Sequence, residues 1–260
     1  MNREPITDGA EGWDTYAAFY DWENAQTVQR RDVAFWQRLA AAADGDVLEL
    51  GCGTGRISLP IAKGGVALTG IDRSAPMLAR ARTRARRARL GTRVRLVRGD
   101  IRVLPFQAQR FRLVMAPYGI LQSLTRERDL AATLASVARV LDRDGRFGID
   151  LVPDLPQWAE YREKKTLAGR LGRDTRVSLI ESVRQDRARR LTIFDQRYTT
   201  VRNGATREHR FSLTFRTLSV PQMAKRLERA GFAVDAVLGD YRGGPWDARA
   251  DVWVVLARRR

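Results

Sequence analysis

The sequence has almost none of the residues that build disulfides and zinc sites. Its 260 residues include one cysteine, Cys52, and one histidine, His209. A single cysteine excludes an internal disulfide, and one cysteine with one histidine is too few for a zinc site of the usual N/S type. Long apolar runs are also missing, since no segment approaches the roughly 20 apolar residues of a membrane span or forms a secretory signal behind the charged start. We therefore expect a cytoplasmic protein that binds no metal and crosses no membrane.

Lysine and acidic residues are scarce beside arginine. Lysine and arginine together number 47, against 30 acidic residues, and the formal net charge is +17. Such a charge is typical of nucleic-acid-binding proteins, but it also marks a genome whose codons favour arginine. The densest basic patch alternates with alanine, spreads around the circumference of a helix and contains no aromatic residues for base stacking. It consists of Arg80, Arg82, Arg84, Arg86, Arg87 and Arg89. We interpret it as a solvated helix face with nonspecific affinity for polyanions, and we expect no specific nucleic-acid partner.

A glycine-rich loop is the most informative feature that is present. A strand of buried type, Val47–Leu50, runs into Gly51, Gly53 and Gly55, and a helical pattern begins at Arg56. Alternate glycines after a strand indicate a tight turn that a ligand approaches closely, although a turn without a ligand has the same pattern. The dinucleotide fingerprint needs its third glycine where Arg56 stands, and the Gly-Lys-Ser/Thr of a nucleoside-triphosphate loop is absent. The loop therefore indicates a nucleoside ligand without a pyrophosphate.

Short apolar runs alternate with helical patterns from position 46 onward, which is typical of a doubly wound parallel sheet. The predicted strands are 46–50, 66–71, 93–98, 111–116 and 145–151, and the predicted helices are about 55–63, 74–90 and 125–142. Ser74 before Ala75-Pro76 is a good helix start, and Gly145 is predicted to end the helix that precedes it.

The pattern changes after position 153. A helix is predicted over 154–171 and is followed by three stretches of alternating strand character. These stretches are 175–185, 190–202 and 206–218, and Asn203-Gly204 is a hairpin turn signal between the last two. A helix from Ser219-Val220-Pro221 to Ala230-Gly231 and strands near 232–238 and 251–258 complete the chain. We therefore predict an α/β fold with an inserted antiparallel sheet.

Two aspartates follow the next two strands of the parallel sheet. Asp72 ends the second strand, 21 residues after Gly51, and Asp100 follows the third. A carboxylate at the first of these places can accept hydrogen bonds from both hydroxyls of a ribose, while a helix-capping role is the alternative. Because ligands bind at the carboxyl edge of such sheets, we expect the glycine loop and both aspartates to lie together.

These residues resemble the class I S-adenosylmethionine-dependent methyltransferases. The similarity lies in Glu49–Gly55, in Asp72, in Gly99-Asp100-Ile101 and in Leu113–Gly119. Leu141–Phe147 is similar to the Leu-x-Pro-Gly-Gly turn of the family but has Arg and Asp in place of Pro and the first Gly. Residues 239–258 look like the small-molecule branch, which includes sugar N-methyltransferases with an antiparallel insertion. The resemblance implies a Rossmann-like, mostly parallel seven-stranded sheet that binds S-adenosylmethionine and releases S-adenosylhomocysteine.

The resemblance also assigns roles to residues. Asp72 would bind the ribose, Asp100 the adenine amino group and Ile101 the ring, while Glu49 would organise the loop. The expected cofactor contacts are Glu49, Gly51, Cys52, Gly53, Gly55, Arg56, Asp72, Arg73, Asp100, Ile101, Ala116 and Tyr20. The predicted division is a helical lid over 1–45, a cofactor-binding core over 46–153, a substrate cap over 154–218 and a segment over 219–260 that completes the core. Cys52 is interpreted as a small packed residue of the loop.

The acceptor is less well defined by the sequence. Tyr118 is the best candidate for positioning it, and the expected substrate contacts are Tyr16, Tyr118, Gln122 and Arg242, with core packing or a solvated loop as the alternatives. An amine needs only to lose a proton before it attacks, whereas a hydroxyl needs a base. Many relatives have a histidine just after the fourth strand, where this chain has Leu121–Leu124, and His209 is interpreted as a surface residue of a hairpin. This absence favours nitrogen over oxygen.

Three functions remain open at this point. The leading one is methyl transfer to a nitrogen or oxygen of a small molecule. An RNA methyltransferase is supported by charge alone, because the Asn/Asp-Pro-Pro-Tyr/Phe motif is replaced by Ala116–Gly119. A non-catalytic cofactor-binding protein is the third. The exposed edges of the inserted sheet could also pair two copies of the chain into a homodimer.

Overall fold

The computed structural model describes residues 12–27, 32–151, 160–247, 249–250 and 252–260, and contains two separate sheets. The strands are β1 (Val47–Leu50), β2 (Leu68–Asp72), β3 (Val94–Arg98), β4 (Phe111–Ala116), β5 (Leu141–Leu151), β6 (Tyr161–Leu171), β7 (Thr175–Asp186), β8 (Leu191–Arg202), β9 (Ala205–Arg216), β10 (Phe232–Leu238) and β11 (Trp253–Arg259). The helices are α1 (Trp13–Tyr16), α2 (Tyr20–Gln26), α3 (Val33–Ala41), α4 (Ser58–Lys63), α5 (Ala75–Arg87), α6 (Glu127–Val140) and α7 (Val220–Arg229).

The larger sheet has seven strands in the order β10-β11-β5-β4-β1-β2-β3. Strands β1 to β5 pair in parallel, and β11 is antiparallel to both of its neighbours. The strand order reverses beside β1, which pairs with β2 on one side and β4 on the other, and ligands bind at the carboxyl end of such a reversal. The predicted doubly wound, mostly parallel seven-stranded fold is confirmed.

The central strands are apolar because both of their faces are covered. All four residues of β1 and five of the six residues of β4 are buried. One hydrophobic cluster includes Phe111, Phe147 and Phe232, and another is built around Trp36 of α3. Helix α5 begins as predicted, since the Ser74 hydroxyl accepts a hydrogen bond from the Met77 N–H at 3.3 Å.

The predicted helix over 154–171 is wrong in its described part. Residues 152–159 lie outside the described residues, and Tyr161–Leu171 forms strand β6. It pairs antiparallel with β7 through a turn at Gly172, whose φ is +73°. The segment is rich in Arg, Lys, Glu, Ala and Leu, which favour helices, but pairing with β7 overrides this preference. The inserted sheet therefore has four strands, in the order β6-β7-β8-β9, and its exposed edges are β6 and β9.

The predicted glycine end of helix α6 is also wrong. The helix ends at Val140, and β5 begins at once with Leu141. Gly145 has no left-handed φ, and a Cβ there would lie 2.8 Å from the Leu141 side chain. Between residues 141 and 146 the register of β5 against β4 is irregular. Gly145 has no side chain and so leaves room for the Leu141 side chain where the strand bulges.

The N-terminal helices lie against the inserted sheet through aromatic side chains. Phe19 stacks on Tyr198 of β8 with ring centroids 4.1 Å apart, and Tyr16 contacts Phe211 of β9 at 5.5 Å. These residues share a third hydrophobic cluster with Met77 of α5. The N-terminal segment is thus packed between the inserted sheet and the parallel sheet's helices. None of the described helices combines the length and apolar character needed to span a membrane.

Candidate active site

A cavity of about 640 Å³ opens where β1, β2, β3 and β4 end. Its volume lies within the range of small-molecule sites. Most of the residues predicted for the site line it: Tyr20, Glu49, Gly51, Cys52, Gly53, Arg56, Asp72, Arg73, Asp100, Ile101 and Tyr118. The structure therefore brings together the glycine loop, both aspartates and the residues that follow β4.

The glycine loop has the backbone that the sequence led us to expect. Gly51, Gly53 and Gly55 have φ values of +61°, +53° and +79°, a region that glycine adopts readily. A Cβ on Gly53 would meet nothing nearer than the Gly51 carbonyl oxygen at 4.0 Å, so this position leaves its space to the cavity. A Cβ on Gly55 would lie 2.7 Å from Leu59, so Gly55 allows α4 to pack closely and does not line the cavity.

Asp72 joins the glycine loop to the start of α5. Its Oδ2 accepts a hydrogen bond from the Gly53 N–H, and its Oδ1 accepts one from the Ser74 N–H, both at 2.8 Å. Burial raises the pKa of this carboxyl, and backbone hydrogen bonds from Ser74, Gly53 and Arg73 oppose the rise. Because each carboxylate oxygen accepts two hydrogen bonds, Asp72 retains capacity for a hydroxyl donor of a ligand.

Asp100 has a partner that the sequence did not indicate. Arg102 donates to both of its oxygens: the backbone N–H reaches Oδ1 at 2.9 Å, Nε lies 3.0 Å from each oxygen, and Nη2 reaches Oδ2 at 2.6 Å. Partial burial acts to raise the pKa of Asp100, but the hydrogen bonds from Arg102 outweigh it, and the pKa lies below its usual value. Asp100 is thus held as a carboxylate, and a ligand amino group would share its oxygens with Arg102.

Glu49 is buried under the loop and bonded to a neutral group. The Ser58 hydroxyl of α4 donates to its carboxylate. Burial raises the pKa of Glu49 to about 8, while the Ser58 hydrogen bond and the nearby Arg56 charge act against the shift. Burial also raises the pKa of the Cys52 thiol well above its usual value, so the thiol is unreactive. The Cys52 side chain packs beside Gly70 of β2.

Arg56 is held by a residue that sequence reasoning missed. Its Nη1 and Nη2 donate to the two oxygens of Asp32 at 2.7 and 2.6 Å, and Asp32 is 1% exposed. The Arg56 guanidinium also lies 5.0 Å from the centroid of the Tyr118 ring. Asp32 precedes α3 and is 24 residues away in sequence. No local pattern in the sequence marks this pair.

Two further carboxylates fix the N-terminal segment to the edge of the sheet where the cavity opens. Asp21 accepts from the Thr54 hydroxyl at 2.6 Å and from Arg84 Nη1 at 2.7 Å. Asp14 accepts from the Ser74 hydroxyl at 2.5 Å, next to Asp72. The segment before β1 therefore covers the glycine loop through side-chain contacts that the sequence did not predict.

The wall of the cavity beyond the glycine loop is aromatic. It contains Trp13 of α1, Tyr20 of α2, Tyr118 after β4 and Phe215 of β9. Trp13 and Phe215 meet edge to face at 6.2 Å, and Tyr20 and Tyr118 do so at 6.4 Å. Burial raises the pKa of Tyr118 well above its usual value, so its hydroxyl stays protonated. Trp13 and Phe215 were missed because they come from the N-terminal segment and the insertion.

Other predicted residues lie outside the residues that line the cavity. Tyr16 is buried behind Tyr20, and Ala116 is buried in β4. Gln122 is buried and donates to the Arg216 carbonyl at 3.3 Å. Arg242 is exposed in the loop after β10. His209 contacts the Phe19 ring at 5.1 Å and is likewise not among the lining residues.

Comparison with known proteins identifies the family. A family model described as a methyltransferase domain matches residues 47–145. A phosphatidylethanolamine N-methyltransferase of Cereibacter sphaeroides is 39% identical over 152 residues, which cover 57% of this chain and 68% of that protein. The chain belongs to the class I S-adenosylmethionine-dependent methyltransferases. It is an enzyme whose cofactor is S-adenosylmethionine.

Two other relatives of this methyltransferase extend over almost the whole chain. The cypemycin N-terminal methyltransferase of a Streptomyces species is 27% identical over 244 residues, 93% of this chain and 94% of that protein. The CcbJ methyltransferase from Streptomyces caelestis has the same fold, with a TM-score of 0.79 and 23% identity over 97% of this chain and 99% of that one. The similarity thus includes the N-terminal segment and the inserted sheet.

The cavity of the methyltransferase fits the cofactor of its family. The loop leaves room at Gly53, and Asp72 has capacity for a hydroxyl donor. Asp100 and Ile101 line the same cavity beyond Asp72. Among the described residues, no group of three or more His, Cys, Asp or Glu side chains is arranged to hold a metal ion.

Proposed function

We propose that this enzyme transfers a methyl group to the nitrogen of a small-molecule amine. Two relatives with the names N-methyltransferase and N-terminal methyltransferase support nitrogen as the acceptor atom. The observation that carries the proposal is the aromatic wall of Trp13, Tyr20, Tyr118 and Phe215. Aromatic faces attract the positive charge of an ammonium group, which loses its proton to solvent before the nitrogen attacks, whereas a hydroxyl gains nothing comparable from them.

The lining residues offer a hydroxyl acceptor no good base. Within the described part of the chain, neither a histidine nor a lysine lines the cavity. A hydroxyl would need such a base to become a nucleophile, whereas the neutral fraction of an amine already carries the lone pair. Glu49 is the lining carboxyl with the most strongly raised pKa, about 8, but it is buried beneath the loop and bonded to Ser58. The acid–base properties of the site therefore favour an amine.

The two ends of the cavity have different tasks in this proposal. Asp72 accepts from a ribose hydroxyl, Asp100 accepts from the adenine amino group beside Ile101, and the glycine loop lets the cofactor approach. S-adenosylmethionine, when bound, supplies a methyl group that its sulfonium activates for in-line attack by the amine. Tyr20 and Tyr118 orient the amine and exclude water, so the chain contributes mainly positioning and desolvation. We assign the lid role to residues 1–45 and the cap role to residues 154–218.

The experiment is a product assay with matched acceptors. The enzyme is incubated with S-adenosylmethionine and either primary and secondary amines or the alcohols of the same skeletons, and S-adenosylhomocysteine is quantified. We expect turnover with amines and none with the alcohols. Tyr118→Ala should lower kcat/KM for the amine about tenfold, because one face of the aromatic wall is lost, while the Kd of S-adenosylmethionine changes by less than about twofold.

A matched control is Trp246→Ala, which removes an aromatic ring that is 37% exposed and outside the cavity. It should leave kcat/KM unchanged.

Turnover of alcohols alone would overturn the proposal for nitrogen. Methylation of RNA, with RNA binding that survives about 0.5 M salt, would favour a nucleic-acid substrate, because nonspecific contacts are lost at that strength. Cofactor binding without turnover of any acceptor would indicate a non-catalytic protein. The homodimer remains a prediction, for which β6 and β9 provide the free edges.

A further inference from the structure

Asp150 is a buried carboxylate at the end of β5 that no sequence motif marked. It is 1% exposed. Its Oδ1 accepts a hydrogen bond from the Gly119 N–H and its Oδ2 accepts one from the Tyr241 hydroxyl, both at 2.8 Å. Burial raises the pKa of this carboxyl to about 6, and these two hydrogen bonds act against the rise. Each of the two oxygens of Asp150 therefore has one protein donor.

The first of these hydrogen bonds fixes an unusual turn. Tyr118 and Gly119 are consecutive residues with left-handed φ values of +60° and +62°. Such a conformation is unfavourable for a residue other than glycine, so it persists only where surrounding contacts hold it. The Gly119 N–H is directed to Asp150, and the turn points the preceding Tyr118 to the cavity.

The second hydrogen bond ties this turn to the loop after β10. Tyr241 packs against Phe35 of α3 with ring centroids 5.9 Å apart. Its carbonyl accepts from Arg38 Nη2 of the same helix at 3.0 Å. Helix α3 follows Asp32, which holds Arg56 against the Tyr118 ring. A continuous series of contacts thus runs from Asp150 through Tyr241 and helix α3 to the Asp32–Arg56 pair and the Tyr118 ring.

We propose that Asp150 is a positioning residue for the methyl acceptor, because it fixes the left-handed turn that presents Tyr118 to the cavity. Asp150 acts through Tyr118 and makes no contact with the cavity itself. The inference rests on the proposed function, in which Tyr118 is part of the acceptor wall. Tyr241 assists by holding the second oxygen of Asp150, which links the loop after β10 to acceptor binding.

The test is a double-mutant cycle between Asp150 and Tyr118. Asp150→Ala should lower kcat/KM for the amine about tenfold through a higher KM, with the Kd of S-adenosylmethionine changed by less than about twofold. In the Tyr118→Ala background, Asp150→Ala should have almost no further effect on kcat/KM, because the ring that it positions is gone. Independent effects, which multiply in kcat/KM, would overturn the proposal, as would a parallel loss of cofactor affinity.

Two conservative variants keep the test decisive if Asp150→Ala does not fold. Asp150→Asn retains an acceptor for the Gly119 N–H and should keep most of the wild-type kcat/KM. Tyr241→Phe retains the ring and should raise KM about threefold, the cost of one hydrogen bond. If kcat/KM for the amine falls about tenfold in Asp150→Asn as well, the positioning role is wrong. It is also wrong if Tyr241→Phe changes only the Kd of S-adenosylmethionine. Asp235→Ala, on β10 and paired with Arg258 at the surface, is the control without effect. Failure of the proposed function would look different, since the wild type itself would turn over no amine.

Discussion

The cofactor half and the acceptor half of the cavity are built in different ways. In the half that we assign to the cofactor, backbone groups and short side chains at the ends of consecutive parallel strands line the cavity, as at Gly53 and Asp72. In the acceptor half, long aromatic side chains come from the N-terminal segment, the loop after β4 and the inserted sheet. The first half is fixed by sheet topology, whereas the second depends on contacts between distant segments.

The two halves are connected by a buried ion pair. Asp32 belongs to the N-terminal segment and Arg56 follows the glycine loop, and their two hydrogen bonds are 2.6 and 2.7 Å long. Arg56 also lies over Tyr118 of the acceptor wall. The position of the Tyr118 ring in the acceptor half therefore depends on Arg56, which the pair with Asp32 holds next to the glycine loop. Variants that break it should separate the behaviour of the two halves.

The largest effect is expected for Asp32→Asn. The substitution leaves the Arg56 guanidinium buried without its counter-charge, which should lower the free energy of unfolding by about 3–5 kcal/mol. The measurement is denaturant unfolding, together with the KM of the amine acceptor and the Kd of S-adenosylmethionine at a temperature where the variant is folded. We expect the acceptor KM to rise more than the cofactor Kd.

Asp21→Asn is the matched control for this prediction. Asp21 also joins the N-terminal segment to the loop, but its pair with Arg84 is partly exposed, with side chains 35% and 38% accessible. Such a pair stabilises a protein by about 0.2–1 kcal/mol. Equal losses of stability in the two variants would mean that burial of the Asp32–Arg56 pair does not matter, and the proposed connection between the halves would fail.

The fold of the cofactor half could be predicted from the sequence because its signals are local. Three glycines in left-handed conformations and two aspartates at strand ends follow directly from the spacing of the strands. The topology of a parallel sheet then brings them to one edge without any further information. The family resemblance rests on the same residues, so the fold and the cofactor were predicted together, and both are confirmed.

The acceptor half could not be predicted because its contacts are not local. Asp32 meets Arg56 across 24 residues, and Tyr241 meets Asp150 across 91. The strand β6 was predicted as a helix because its composition favours one, and only pairing with β7 decides its structure. Arg242 was chosen by its charge, yet it is exposed while its neighbour Tyr241 forms the buried contact. Spacing rules give no information on such pairings.

The next prediction tests the cofactor half alone through Gly53→Ala. A Cβ there meets no other part of the protein within 4.0 Å except the Gly51 carbonyl oxygen, so it would fill space that the cofactor needs. We expect the Kd of S-adenosylmethionine to rise about a hundredfold or more, a loss of about 2.7 kcal/mol of binding free energy. Stability should fall only by the roughly 1–2 kcal/mol cost of a left-handed alanine.

Gly91→Ala separates these two effects. Gly91 has a φ of +56°, close to the +53° of Gly53, and a Cβ there would also meet nothing within 4 Å, but it lies before β3 and away from the cavity. Isothermal titration calorimetry and thermal unfolding of both variants provide the comparison. Gly91→Ala should show the same loss of stability with unchanged cofactor affinity. Cofactor affinity close to wild type in Gly53→Ala would contradict the placement of the ligand against the loop.

The smallest expected effect is a pH dependence of the free energy of unfolding that comes from Glu49. It contrasts Glu49, the buried carboxyl of the cofactor half, with Asp32. Asp32 is held by a guanidinium, whereas Glu49 is held by the Ser58 hydroxyl and its pKa is raised to about 8 by burial. An acid whose pKa is higher in the folded than in the unfolded chain binds more protons when folded, so its contribution to stability is fully present below pH 4.5 and is lost as pH rises through 8.

Between pH 6 and 7.5 the free energy of unfolding should therefore fall by about 2 kcal/mol through Glu49 alone. Glu49→Gln removes this dependence, and unfolding curves of wild type and variant across that range isolate it from the other titrating groups, which both proteins share. Parallel pH dependences in the two proteins would show that Glu49 is ionised in the folded enzyme, and that the cofactor half, like the acceptor half, stabilises its buried carboxylate by the charge of Arg56.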